Sequence, residues 1–148
     1  MTGAGGRAVS RFACDRSDLF VRSVTVFRTL YGRRYRIMAM APMPVNMPGQ
    51  TDMSIVTGGY QCRFVVGTKV WSEHASGLAV DINPLQNPMI RGRLIDPAAG
   101  SLWLDRSRYR IGMIHAEGAA QALTANGFAW GGRWRSLKDY IHFITTNR

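Results

Sequence analysis

A chain of 148 residues with 46% apolar and 19% charged side chains has the material for one packed domain and not the composition of a disordered polypeptide. It has no apolar run near the roughly 20 residues a membrane-spanning helix needs, and its opening Met1-Thr2-Gly3-Ala4-Gly5-Gly6-Arg7 lacks the apolar segment of a secretory signal, so neither membrane insertion nor self-directed export is expected. Nineteen Lys and Arg against nine Asp and Glu give a net charge of +10, which suits an anionic partner, either nucleic acid or a cell-wall polymer, but equally reflects arginine-rich coding, since only Lys69 and Lys138 are lysines.

Residues 1–18 are rich in Gly and Arg without apolar periodicity and read as a flexible tail, leaving 19–148 as one domain. Eight of the arginines fall in residues 1–36, against only Asp15 and Asp18. From Leu19 to Tyr31 the apolar positions Leu19, Phe20, Val24, Phe27, Leu30 and Tyr31 recur every three or four residues, which predicts an amphipathic helix capped by Ser17 or Asp18 and stopped at Gly32. Residues 41–59, with three prolines and several methionines, read as an ordered loop. Gln61–Val66 and Leu78–Ile82 are strand candidates, ended by Gly67 and by Asn83-Pro84. Residues 84–110 read mostly as loop, with a helical turn near Asp105. Ala116–Asn126 predicts a second helix stopped by Gly127, and Tyr140–Thr145 a last strand. The order and the lack of repeats give the α+β class. Cys14 and Cys62 are too few for a disulfide framework or a metal cluster, and read as two unpaired thiols.

Three histidines bound the metal question. His74, Asp81 and His142 supply the two imidazoles and one carboxylate that hold a catalytic zinc with a fourth position open. Asp81 lies in a strand whose neighbours Val80 and Ile82 point to the opposite face, and Gly77 lets the chain turn to bring His74 beside it. His142 is in the other late strand. Asp139, three residues before it, belongs in a bend, where it can serve as a proton acceptor and donor without binding the metal. Arg63 is a cation able to clamp a substrate carboxylate or polarise a carbonyl. Spacing alone leaves ordinary readings open: a loop histidine, a turn former before Asn83-Pro84, a hydrogen-bonded strand histidine.

Ser72-x-His74-x-x-Gly77-x-Ala79-x-Asp81 followed by Asp139-x-x-His142 resembles the signature of the zinc D-Ala-D-Ala carboxypeptidases and L-Ala-D-Glu endopeptidases, a family with VanY-type enzymes and several phage endolysins. Trp71-Ser72-Glu73-His74, Asp81 through Pro88, Asp105-Arg106, Trp130-Gly131-Gly132-x-Trp134 and Ser136 through Phe143 carry the resemblance further, from about Phe27 to Phe143. Gln61-Cys62-Arg63 resembles the segment presenting the family's active-site arginine, although Ser54–Gln61 departs from its Asn- and Ser-rich stretch, and Ser76 stands where an aromatic is frequent. The resemblance implies one catalytic Zn2+ held by His74, Asp81 and His142, with Asp139 as catalytic acid/base. Arg63 would be the substrate-orienting or oxyanion-stabilising cation, and Ser72 a hydroxyl that contacts substrate or supports the ligands. It also implies a small antiparallel sheet flanked by helices, as in the hedgehog signalling domain. The expected protein is then a monomeric, endolysin-like peptidase of peptidoglycan stem peptides, either a D-Ala-D-Ala carboxypeptidase or an L-Ala-D-Glu endopeptidase, made in the cytoplasm without a signal peptide and acting at the cell wall after release. The alternatives are a non-catalytic, zinc-stabilised wall-binding domain, against which Asp139 argues, and a basic nucleic-acid-binding module, for which no aromatic-basic motif is present.

Among the remaining candidates, Trp130 and Trp134 could wall a substrate site or pack a tight turn. His115 reads as a capping or surface residue, Glu73 as a solvated neighbour of His74, and the methionines at 38–53 as adaptable packing.

Overall fold

A computed structural model describes residues 17–41, 53–65 and 67–145. The expected tail lies outside these residues except for Ser17 and Asp18, as do Cys14 and the loop segment 42–52. Helix α1 spans Ser17–Gly32. Its buried stripe is narrower than the apolar periodicity: Val26 and Leu30, one turn apart, are buried and Phe27 packs beside them, whereas Tyr31 is 86% exposed. Gly32 still belongs to the helix; the left-handed residue that turns the chain is Arg34, at φ 53°, and the Tyr35 N–H closes the turn on the Leu30 carbonyl at 2.9 Å.

Helix α2, Ala119–Thr124, is shorter than the pattern over 116–126 predicts. Its first turn is diverted because the His115 carbonyl accepts the N–H groups of both Gly118 and Ala120, and Gly118 takes a non-helical φ of −102° and ψ of −113°. Gly127, at φ 82°, ends the helix region as expected. Ala119, Ala120, Ala122 and Leu123 are all buried, and the small alanines let α2 lie close to α1. Burying a leucine such as Leu30 or Leu123 contributes roughly 1.5–3 kcal/mol.

Among the described residues the strands form two three-stranded antiparallel sheets and one short parallel pair. The pair joins β1 (Ala39–Met40) to β2 (Val56–Thr57). The first sheet has the order β3 (Ala79–Asp81), β8 (His142–Thr145), β6 (Phe128–Trp130). The second has the order β5 (Leu94–Asp96), β4 (Met89–Arg91), β7 (Lys138–Asp139). The α+β class is borne out, with the single expected sheet divided in two.

Three local expectations are corrected. The β4–β5 hairpin occupies part of the segment read as loop, and turns on Gly92-Arg93 with Gly92 at φ 58°. The helical turn lies at Ala98–Trp103 and not at Asp105, whose carboxylate instead accepts the N–H and hydroxyl of Ser107. Of the strand expected over Gln61–Val66, Val66 lies outside the described residues, and the rest reduces to one bridge between Phe64 and Trp71.

The predicted last strand is interrupted at Tyr140 and Ile141, where it passes from one sheet to the other. The Tyr140 carbonyl accepts the Trp130 indole N–H at 2.9 Å, and the Ile141 carbonyl accepts the Ile82 N–H at 3.1 Å. Arg106 lies 4.1 Å above the Tyr140 ring. Asp139 and His142 therefore sit at the ends of two different sheets, and this bend fixes their relation.

Candidate active site

The site begins with the register of the first sheet. Asp81 on β3 stands opposite His142 on β8. The Asp81 N–H and carbonyl are both taken by Gly58 on its other side, at 2.8 and 3.0 Å, so Asp81 and His142 form a non-hydrogen-bonded pair, whose side chains lie closer together. Alternation does the rest: Ile82 and Phe143 are fully buried and Val80 packs on the core, while Asp81 and His142 share the other face. The turn after β3 is bolted down by Asn83, a residue type that tolerates its φ of 48°. Its side-chain amide donates to the Arg36 and Gly112 carbonyls, and its oxygen accepts the Met38 N–H.

His74 arrives on a 3₁₀ turn, Glu73–Ser76, capped by Ser72. The Ser72 hydroxyl accepts the His74 backbone N–H at 3.3 Å, and Gly77 ends the turn in the left-handed conformation at φ 67°. Ser72 is buried and engaged with backbone, so this contact supports a positioning role for it over a substrate contact. His74 Nδ1 lies 2.6 Å from the Gly59 carbonyl, which places a ring proton at Nδ1 and makes Nε2, which faces Asp81, the nitrogen available as a ligand. Gly59 was not legible as a site residue, because it acts through a carbonyl that every residue has.

Three ligand atoms converge. His74 Nε2 is 3.2 Å from Asp81 Oδ2 and 3.2 Å from His142 Nδ1, and His142 Nδ1 is 3.0 Å from Asp81 Oδ1. All three residues offer ligand atoms within 4.8 Å of one another, and they are the one such group among the described residues. Burial pushes the Asp81 carboxyl up, but hydrogen bonds from His142 and His74 outweigh it and hold the group well below the usual carboxylate range. Burial likewise opposes charge on His74, yet the hydrogen bond and charge of Asp81 prevail and raise its pKa. Two imidazole nitrogens and a carboxylate packed this tightly call for a positive charge between them, and the donor set fits a divalent cation with a position left open.

Asp139 borders this cluster. Its pKa is raised to about 6, by burial first, with Asp81 adding to the shift and His142 and His74 opposing it. Its Oδ1 is buried and, among the described residues, has no hydrogen-bond partner, leaving an acceptor free beside the cluster. Arg63 is half-buried; its Nε donates to Gln61 Oε1 at 2.6 Å, and its charge is felt at His74, where it opposes protonation. The geometry thus brings His74, Asp81, His142 and Asp139 together and sets Arg63 at their edge.

The remaining candidates separate. Trp130 is buried, with its indole N–H bound to Tyr140 and its ring stacked 6.3 Å from Phe143, so it packs the core. Trp134 is half-buried with its ring 5.7 Å from that of His142. His115 packs on Tyr109, away from the ligand set. The Cys62 thiol is free and exposed.

Such a cluster, two histidines and an aspartate with a second, high-pKa aspartate beside them, is the equipment of a metal-dependent hydrolase. A family model described as D-alanyl-D-alanine carboxypeptidase matches residues 66–145, more than half of the chain and inclusive of every residue of the cluster. The chain belongs to this family: it is a metallopeptidase of the D-Ala-D-Ala carboxypeptidase kind. Comparison with curated proteins and with solved structures gives no match. Among the described residues no helix is long and apolar enough to cross a membrane.

Proposed function

We propose that the protein is a zinc-dependent peptidase that removes the terminal D-alanine from peptidoglycan stem peptides. The observation that carries this reading is the convergence of His74, Asp81 and His142, within 4.8 Å, next to a buried Asp139 oxygen that, among the described residues, lacks a partner. His74 and His142 would hold the zinc through Nε2 and Nδ1, and Asp81 through a carboxylate oxygen. When bound, zinc supplies Lewis acidity that makes water a competent nucleophile near neutral pH.

The protein's own groups supply the remainder. Asp139, with a pKa raised to about 6, is ionised at neutral pH yet holds a proton better than an ordinary carboxylate. It accepts a proton at Oδ1 during attack and returns it to the departing amine nitrogen. Arg63 pairs with the free carboxylate of the terminal residue and orients the scissile amide. Ser72 and the Gly59 carbonyl hold His74 in its ligating tautomer and rotamer. The net charge of +10 favours approach to an anionic envelope, where the protein would act after its release from the cytoplasm.

The test is mass analysis of a purified stem pentapeptide, L-Ala-D-Glu-L-Lys-D-Ala-D-Ala, after incubation with the zinc-loaded protein. Loss of one terminal alanine supports the reading. A new D-Glu amino terminus moves the scissile bond to L-Ala-D-Glu within the same chemistry. An intact pentapeptide and intact peptidoglycan overturn the proposal.

A further inference from the structure

The segment Trp130-Gly131-Gly132-Arg133-Trp134 contains two tryptophans with different fates. Trp130 is buried with its indole N–H bound to the Tyr140 carbonyl. Trp134 is half-buried, and among the described residues its indole N–H has no partner. Its ring lies 5.7 Å from that of His142, at an interplanar angle of 56°.

Both intervening glycines are required by close approach. A Cβ on Gly131 would stand 2.6 Å from the Asp139 carbonyl oxygen and 2.9 Å from the Asp139 Cβ, and one on Gly132 would stand 2.4 Å from the Trp130 ring. The 3₁₀ turn Gly131–Arg133 thus presses on Asp139 at its start and on the core indole in its middle. It ends with the Trp134 N–H on the Gly131 carbonyl at 3.1 Å, and Lys138 Nζ donates to the Gly132 carbonyl at 3.4 Å. A turn tied at so many points presents Trp134 rigidly, and an aromatic ring held beside the cluster with one donor in reserve is suited to a ligand that is apolar at one point and polar at the next.

We infer that Trp134 is a substrate-contacting, specificity-determining residue: its indole face packs against a small apolar side chain next to the scissile amide, the methyl of an alanine, and its Nε1–H donates to a carbonyl or carboxylate oxygen of the same peptide. The inference rests on the peptidase reading above. A ring held 5.7 Å from that of His142 would wall one side of the position beside the metal ligands, and through that wall Trp134 would favour a small side chain there.

The experiment uses the full chain with zinc bound and the stem pentapeptide as probe. Steady-state kinetics on Trp134→Phe and Trp134→Ala are paired with indole N–H resonances of the 15N-tryptophan protein, the Trp134 resonance being identified by its loss in Trp134→Phe. Peptide titration into the Asp139→Asn protein, whose turnover is slowed about 10²- to 10⁴-fold, shifts the Trp134 resonance and leaves that of Trp130 in place. Trp134→Ala raises KM by about tenfold or more with kcat within about threefold, and narrows the preference for alanine over leucine at that position. Trp134→Phe, which keeps the wall and loses the donor, falls between. Zinc content and circular dichroism stay at the native level in both.

An unmoved Trp134 resonance at saturating peptide overturns the inference, as does a KM unchanged in Trp134→Ala. If Trp134→Ala loses zinc while the wild-type resonance stays fixed, the ring merely supports His142 and the inference fails. Wild-type protein that binds peptide at Trp134 without cleaving it refutes the peptidase and leaves the wall standing. Cleavage with Trp134 unmoved does the reverse, and absence of both binding and cleavage removes both.

Discussion

Replacing Asp139 with asparagine separates its catalytic task from its energetic burden. In the zinc-free protein the carboxyl titrates at about 6, chiefly because burial disfavours its charge. In the unfolded chain an aspartate titrates near 3.9. Between those values the folded state binds more protons than the unfolded state, so stability falls as pH rises through the window. Below about 4 the group is neutral in both states; above about 6 folding carries the full penalty. The difference of about 2 pH units corresponds to about 3 kcal/mol. Asp139→Asn removes the charge with little change of shape. Urea unfolding of the two zinc-free proteins should therefore give similar stabilities near pH 4 and a gain of up to about 3 kcal/mol for the variant at pH 8. Raised pKa of His74 works at higher pH and is common to both, so it largely cancels in the comparison. The same variant should retain zinc and lose about 10²- to 10⁴-fold in kcat. A variant that is no more stable than wild type at pH 8, or one that turns over normally, would refute the placement of a buried, ionising base at this position.

Ser72→Ala should lose about 1 kcal/mol of stability through the missing cap and weaken zinc binding by about tenfold by loosening His74; thermal melts and competitive zinc titration check both, and undiminished affinity would return Ser72 to the substrate-contacting alternative. Arg63→Ala should raise KM for a peptide with a free terminal carboxylate far more than for its amide, with melting temperature unchanged, because Arg63 is half-buried and bonded mainly to its neighbour Gln61. Equal effects on acid and amide would remove it from carboxylate recognition.

The sequence made the site more legible than the fold around it. Asp81 and His142 could be set on one face because alternation in strands is strict, and the opposed burial of Val80, Ile82 and Phe143 follows from the same rule. The separation of Asp139 from His142 by a bend was legible for the same reason: three residues on a continuous strand face opposite ways. The Gly59 carbonyl and the Gly58–Asp81 bridge were hidden, since main-chain groups leave no mark in composition. The β4–β5 hairpin leaves little trace because Met89-Ile90-Arg91 and Leu94-Ile95-Asp96 are too short for a periodic signal, although a glycine at the first of two turn positions, Gly92, suits a tight hairpin. Helix α2 is shorter than its pattern because the spacing of Ala116, Ala119, Ala120 and Leu123 extends one turn further back, where Gly118 and the His115 carbonyl impose a turn instead. At the end of α1 the glycine drew attention from Arg34, which takes the left-handed conformation two residues later.

X-ray absorption at the zinc edge of the stoichiometrically loaded protein tests the coordination most directly. Two imidazole nitrogens, a carboxylate oxygen and one further light atom at about 2.0–2.1 Å are the expected shell, reduced by one imidazole in His142→Ala. A sulfur at about 2.3 Å, which would draw the metal to Cys62, or a shell unchanged by loss of His142, would contradict the convergence of His74, Asp81 and His142 on a single ion.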